Sequence, residues 1–488
     1  MMDVKRVRHF AFGRARAAGF FVILGFCFAG AFAQRQSGNP SSAANPFFGS
    51  VTLHPATSEA LRLSLDDSVR RGLETNLGLK EAENGEKVYQ GEKNIALQEF
   101  LPTVRVSGGT GFYQHNLEAQ GFRPGFFGSG PTPIPLPTNF PFITKNSLTQ
   151  GQVSLHQTLF SGPVIAGWKA AGAAQRSAYY AKMSARGEVV QQVATVYLRC
   201  IADASNVDNA TALEAQDKLL LDQAHEAHLA GTLANLDELR ARVQWQDQQQ
   251  QVISAKNDLE KDLILLKREI GIDPGQEIIL TDPAPYSDLA SQTPEEVRAI
   301  AFKNRQDYQN LLNQVEELKA IHAAYRSQRL PSLSFNGFYG VDKVNGYPST
   351  GVFAAVGTLS VPLFREASLR GQSDASAAQL AAANAQLDDL RGKIDQQVRS
   401  ALLDVDATAK LVTVAKSNVE LETQTMSDAT ERVNAGVDDN LALVTAQARL
   451  ATAQTNYVQS LYQFNLAKLG LARAAGVIEL QYRAYLGR

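Results

Sequence analysis

From Ser332 the chain alternates apolar with small or polar residues, Leu333-Ser-Phe335-Asn-Gly337-Phe-Tyr339-Gly-Val341, the period of a strand with two unlike faces. A turn marked by Asn345-Gly-Tyr-Pro348 leads into a second extended run, Gly351-Val-Phe-Ala-Ala-Val-Gly-Thr-Leu-Ser-Val361. Beyond Pro362-Leu-Phe364 the pattern changes to a helical one. About 70 residues follow without a proline, rich in Ala, Gln, Leu and Asp. An alanine seam (Ala375, Ala377, Ala378, Ala381, Ala382, Ala383, Ala385) continues into a narrow apolar stripe of Ile394, Val398, Leu402 and Val405. Such a stripe suits a helix wetted on more than one side and packed closely against neighbours. The run breaks at Asn434-Ala-Gly436, and a return helix reaches about Ala474.

The first half reads the same way. Residues 34–60, rich in Ser, Asn, Pro and Ala, form a flexible lead-in. Ser64 caps a helix that carries Asp66 and Asp67 in its first turn and stops before Pro102. Strands are expected at about 102–114 and 148–160. Between them lies a long loop that holds Pro131-Thr-Pro-Ile-Pro-Leu-Pro137. A long helix runs over about 163–229, breaks at Ala230-Gly231 and returns from Asn235 to Ile270.

The landmarks recur in order. Thr293-Pro294 opens a second lead helix that ends before Pro331, strand two closes on Leu159-Phe160 and on Leu363-Phe364, and the return helices end at Gly271-Ile and Gly476-Val. The chain is therefore an internal duplication. Residues 61–274 form repeat one, 275–293 a linker, 294–476 repeat two (strands about 331–343 and 350–362) and 477–488 a C-terminal tail.

Each long helix spans roughly 100 Å at about 1.5 Å per residue and needs a partner along its length. The lead and return helices of each repeat, stacked end to end, match it. The fold class is thus mainly α with a small β part. The four strands have the length of tilted bilayer-crossing strands. A sheet in lipid must close, and four strands are too few to close around a channel, so several copies must share one barrel; three give 12 strands.

Formal charge is −2, with 20% charged and 44% apolar residues, which excludes a nucleic-acid binder driven by bulk positive charge. Lys5, Arg6, Arg8, Arg14 and Arg16 precede a short apolar core from Phe20 to Phe28, and Ala31-Phe-Ala33 is a small-x-small cleavage site, so residues 1–33 read as an export signal. Cleavage removes five of 47 basic and one of 49 acidic residues, leaving 42 against 48, net −6. Cys27 lies in the signal behind Phe26, a poor context for lipid attachment, and Cys200 alone remains, without a disulfide partner. No later apolar run reaches the length of a transmembrane helix.

This layout, with the tip pattern Ala435-Gly436-Val-Asp-Asp-Asn440-Leu-Ala-Leu443-Val-Thr-Ala446-Gln447, resembles the TolC family of outer-membrane efflux channels over about residues 60–476. The resemblance implies a homotrimer with a 12-stranded barrel in outer-membrane lipid and an α-barrel tunnel in the periplasm. It implies tips at Gly231, Asn235, Gly436 and Asn440 that dock a periplasmic adaptor, and through it an inner-membrane pump, in an efflux or type I secretion system. Family members carry acidic rings on the return helix just after the tip. Asp237 and Glu238 fit that placement here; in repeat two Ala442 and Thr445 are not acidic, and Asp438 and Asp439 sit nearer the turn. A threefold ring of either would focus cations.

Other features have plainer readings. His225 and His228, near Asp222 and Glu226, have a spacing a metal could use, yet no third histidine or cysteine cluster joins them, so they read as helix-surface polarity. Gly108-Gly-Thr-Gly111 lacks the Lys-Ser/Thr and following helix of a phosphate loop and reads as small residues at a crowded strand position. Tyr113, Phe338, Tyr339 and Phe353 are candidates for an interfacial aromatic girdle, and Phe122, Phe126, Phe127, Phe140 and Phe142 for a cap on the barrel's outer end. No catalytic constellation, metal cluster or cofactor fingerprint emerges, as expected of a conduit rather than an enzyme. The alternative is a periplasmic or surface coiled-coil structural or adhesive protein, which leaves the strands unexplained. A periplasmic adaptor would need only one hairpin with several small β domains.

Overall fold

The computed structural model describes residues 42–120, 141–290, 292–435, 437 and 440–487. The export signal, the proline run with Phe122, Phe126, Phe127 and Phe140, and the tip residues Gly436, Asp438 and Asp439 lie outside the described residues.

The elements run β1 (Leu61–Leu63), α1 (Leu65–Thr75), α2 (Leu77–Gln98), β2 (Thr103–Asn116), β3 (Ile143–Phe160), α3 (Gly162–Leu229) and α4 (Asn235–Glu269). They continue with β4 (Ile278–Leu280), α5 (Pro294–Asn304), α6 (Gln306–Ser327), β5 (Ser332–Val344), β6 (Thr350–Ser360), α7 (Glu366–Asn434), α8 (Asn440–Ala474) and α9 (Ile478–Tyr485). The duplication is visible in the lengths. α1 and α5 have 11 residues each, α2 and α6 have 22, α4 and α8 have 35, and α3 and α7 have 68 and 69. α1, α2 and β2 each begin 229 residues before α5, α6 and β5 (65 to 294, 77 to 306, 103 to 332).

The lead helix of each repeat, read as continuous from sequence, is broken. Asn76 leaves helical geometry (ψ 132°) and its side chain accepts from Leu79 N while donating to Phe47 O at 2.7 Å. Arg305 does the same in repeat two (ψ 120°), its guanidinium held by Asp307 and by Gln397 of α7. Both helices start as their sequences dictate. Ser64 accepts from Asp67 N, and Thr293 and Glu296 form a reciprocal capping box behind Pro294.

Three segments differ from the sequence reading. The described part of the lead-in is docked, not loose: Phe47 packs on the core, Val51 N donates to Thr75 O, and His54 bridges Ile272. The linker contributes β4, parallel to β1. The tail folds as α9, burying Tyr482, Tyr485 and Leu486. Short segments of this kind escape periodicity because they form only against the rods. Together they wrap the main core at mid-length of α3, where Val189, Val193, Tyr197 and Ile201 meet Leu65, Leu79, Leu266, Ile394, Val398 and Leu471.

α3 packs against α2 and α6 along one stretch and α4 and α8 along another, and α7 packs against α5, α6 and α8. β2, β3, β5 and β6 form one antiparallel sheet in that order, so β2 and β6 are edges. β3 begins at Ile143, earlier than apolar alternation alone marked, because its first residues pair with His115 and Asn116.

Candidate functional site

The cross-strand register sorts the sheet's side chains into two faces. One face carries Val104, Val106 and Phe112 of β2, Val153 and Leu155 of β3, Leu333, Phe335, Tyr339 and Val341 of β5, and Phe353, Ala355 and Leu359 of β6. The other is mainly polar, with Arg105, Ser107, Gln150, Gln152, Ser154, His156, Ser334, Asn336 and Asp342, and carries Leu148, Phe338, Val344, Val352 and Val356 among them. His156 Nδ1 lies 2.7 Å from Asn336 Oδ1 on this polar face. One face suits an apolar medium and the other water, in a sheet whose described α-helices all join it at one end.

The four aromatic candidates therefore divide. Tyr339 and Phe353 stand opposite one another on the apolar face and are 68% and 78% exposed. Phe338, next to Tyr339, must point the other way. Tyr113 likewise belongs to the polar face, where it stacks on His115. Phe112 and Phe335 are apolar-face aromatics that sequence reasoning missed. Gly108 and Gly109 are not crowded: a Cβ at Gly108 would come no nearer than 3.5 Å to Gln150 O, and Gly109 faces open space. Gly111 is closer set, a Cβ there lying 3.1 Å from the Tyr113 ring, and Gly340 is tighter still, where a Cβ would sit 2.6 Å from Gly151 O.

At the first tip α3 ends in a Schellman turn. Gly231 takes φ +76°, its N–H donates to His228 O, and Thr232 N donates to Ala227 O at 3.0 Å. At the second tip Val437 N donates to Arg432 O at 3.0 Å, the corresponding bond. Asn235 does not cap α4. It is the first helical residue, and Ala234 is the cap, with no side-chain bond. Asn440 opens α8.

The acidic pair also divides. Asp237 is partly exposed and pairs with Arg240 at 3.0 Å. Glu238 is 6% exposed, too enclosed to line an open mouth. Its carboxylate meets His225 Nδ1 and Arg242 Nη2, each at 3.0 Å, with His228 Nε2 at 4.0 Å. The hydrogen bond with His225 is the main reason its pKa lies below the ordinary carboxylate value. The histidines are thus engaged across the hairpin rather than idle surface. At the 205-residue offset that relates the tips, Glu238 corresponds to Leu443, buried with Met426, Ala446 and Leu450. At this one position the second hairpin is apolar and the first holds a gripped carboxylate. The signal was legible in hindsight: two histidines and an arginine fall within a few helical turns of one acid.

Other buried acids lie on the long-helix seams. Glu269, fully buried, accepts from Gln192 Nε2 at 3.0 Å, and burial pushes its pKa up to about 8. Burial raises Asp203 to about 7, near Asp262, which pairs with Arg199 at 2.6 Å. Among the described residues no group of three or more His, Cys, Asp or Glu could hold a metal ion, and no helix is long and apolar enough to cross a membrane.

The model of the outer membrane efflux protein family matches residues 69–271 and 298–477, one match per repeat. No curated protein matches the sequence. Among solved structures, the fold is similar to the Campylobacter jejuni CmeC outer membrane channel (17% identity, TM-score 0.70, covering 85% of this chain and 86% of that one). It is also similar to the outer membrane protein VceC from Vibrio cholerae (16%, 0.68, 84% and 96%) and to the open state of the Neisseria gonorrhoeae MtrE outer membrane channel (16%, 0.69, 85% and 89%).

Proposed function

Because this chain belongs to the outer membrane efflux protein family, we propose that it is the outer-membrane exit duct of a tripartite efflux or type I secretion system, a passive conduit closed from three copies. The observation that carries this is the sheet, open at both edges, with one apolar and one polar face. Closure joins β6 of one copy to β2 of the next, as a head-to-tail ring requires.

The helices support the same junction. α6 lies between α3 and α7, whereas α2 packs on α3 alone of the long helices and exposes Val88 and Ile95. α8 lies between α7 and α3, and α4 has its open flank with Leu236, Leu239 and Val243. α7 offers a matching exposed stripe of Leu403, Leu411, Val414 and Leu421. Pairing α7 with the next copy's α2 and α4 reproduces the contacts already made inside one copy. A coiled-coil structural protein has no use for a two-faced sheet.

In this reading the apolar face meets lipid and the polar face lines the pore. The rods project into the periplasm, and the tips around Gly231 and Gly436 dock an adaptor that reaches an inner-membrane pump. Asp237, with Asp438 and Asp439, supplies the acidic mouth, and the signal is removed after about Ala33. Tyr339 and Phe353 remain as girdle residues.

The test is the mature protein itself. It should require detergent, run as a heat-sensitive trimer, and open ion-conducting pores in planar bilayers. A monomer soluble without detergent overturns the proposal.

A further inference from the structure

On the apolar face of the sheet the charged residues are confined to one end. Val104, Val106, Val153, Leu155, Phe335, Tyr339, Val341, Phe353 and Leu359 form an uncharged band. Toward the β2–β3 and β5–β6 connections the same face turns polar, with Thr110, Gln114, Ser147 and Thr149, and then presents Lys145 and Lys343. Both lysines are exposed, and neither forms an ion pair among the described residues. The polar cap between them is ordered. Thr110 and Thr149 hydroxyls are 3.0 Å apart, Ser147 Oγ donates to Asn345 Oδ1, and Asn345 N donates to Ser147 O. Lys343 is directly opposite Thr149, four residues along β3 from Lys145. At about 3.3 Å per residue the two positions are on the order of 14 Å apart, too far for one phosphate to bridge and suited to two.

We propose that this cap binds the phosphorylated saccharide headgroup of an outer-leaflet glycolipid, with the acyl chains lying along the apolar band below it. The assignment rests on the membrane-spanning reading of the sheet. Charge complementarity selects the occupant: two unpaired ammonium groups among hydroxyls and amides match phosphates on a sugar. The sheet places them where a lipid's polar and apolar parts meet. The opposite end of the sheet runs into the helices, where Arg329 is already paired with Glu366.

Each lysine close to an anionic membrane surface contributes about fivefold to affinity, so loss of both is expected to weaken binding at least about tenfold. The experiment uses full-length mature trimer in zwitterionic nanodiscs, titrated with fluorescent lipopolysaccharide. The Lys145→Gln/Lys343→Gln variant should bind at least about tenfold more weakly, dephosphorylated lipopolysaccharide should bind wild type as weakly, and Arg105→Gln on the polar face should change nothing. Equal binding by wild type and the double variant overturns the assignment. So does equal competition by phosphatidylglycerol or by inorganic phosphate, since the first needs no sugar and the second no lipid. Wild type that forms pores but fails these tests leaves the channel reading intact; wild type that forms no pores overturns both.

Discussion

Three glycines end helices with nearly the same backbone angle, yet alanine at each should have a different cost. Gly231 (φ +76°), Gly271 (φ +72°) and Gly476 (φ +74°) all sit in the left-handed region. A side chain there costs about 1–2 kcal/mol whatever surrounds it. At Gly231 nothing lies within 4 Å of the added Cβ, so the cost stops there. At Gly476 the Cβ would lie 2.7 Å from Arg305 N and 2.8 Å from both Arg305 Cα and Asn304 C. These are backbone atoms of the α5–α6 break, and they cannot rotate away. At Gly271 the Cβ would be 2.6 Å from Thr52 O and 3.0 Å from Thr75 Oγ1, at the equivalent α1–α2 break. Overpacking of this kind adds about 1–3 kcal/mol. Gly271→Ala and Gly476→Ala should therefore lower the temperature at which the detergent-solubilised trimer dissociates markedly more than Gly231→Ala does. The same panel separates stability from docking. Gly231→Ala should disturb the trimer least of the three, its strain being confined to the tip, so a loss of adaptor binding in that variant beyond its change in stability reports on the tip surface. Equal destabilisation by all three substitutions would refute the reasoning, because it would mean that φ alone, and not the approach of the broken lead helix, selects glycine.

Glu238 has a depressed folded pKa, so its contribution is present above the unfolded value and is lost as pH falls through the folded one. Hydrogen-exchange protection across residues 225–242, taken relative to the intrinsic rate at each pH, should fall on acidification below the carboxylate range, and Glu238→Gln should remove that pH step. Glu269 is the opposite case. Its folded pKa is raised to about 8, so the stability it contributes is fully present below the unfolded value of 4.5 and is lost as pH rises toward 8. Glu269→Gln, which keeps an acceptor for Gln192, should raise the dissociation temperature at pH 8 and change it little at pH 4. Leu155→Arg on the apolar face should cost about 2–4 kcal/mol near mid-bilayer and deplete the trimer from the outer-membrane fraction. Gln152→Lys, on the polar face, should leave the trimer in place and shift its ion selectivity in planar bilayers.

Periodicity sufficed for the long elements because the rods bury one repeating stripe and the strands alternate. The unequal spans of α3 and the α1–α2 pair already required a stacked partner, α4. What periodicity could not reveal depended on contacts between distant segments. The break at Asn76 exists because its side chain bridges Leu79 N and Phe47 O, and nothing local to the helix announces Phe47. β1 and β4 are three residues each and exist only as a pair. The face of each aromatic was in principle legible from the period of two, since Phe338 and Tyr339 cannot both look outward. Glu238 was misread for another reason. An acid in a first helical turn looks like a solvated charge until its counterpart in the other repeat, the buried Leu443, shows that the position is interior.

That comparison bears on how the two tips could respond to a partner. Around Leu443 the second hairpin is held by Met426, Ala446 and Leu450, contacts that are indifferent to pH and salt. The first hairpin is held at the same place by a carboxylate with an arginine and two histidines around it. A charged docking surface brought near the tips would compete for Glu238 and Arg242 but find no handle on the Leu443 cluster. The duplicated rods would then be equal in length and unequal in how they open, with the α3–α4 hairpin as the element that yields. Exchanging the two solutions tests this. Glu238→Leu with His225→Thr and His228→Val transplants the residues of the second tip onto the first and should slow hydrogen exchange at the first tip while leaving the second unaltered. If the first tip exchanges as fast as before, the carboxylate grip is not what limits its opening, and the asymmetry has no mechanical consequence.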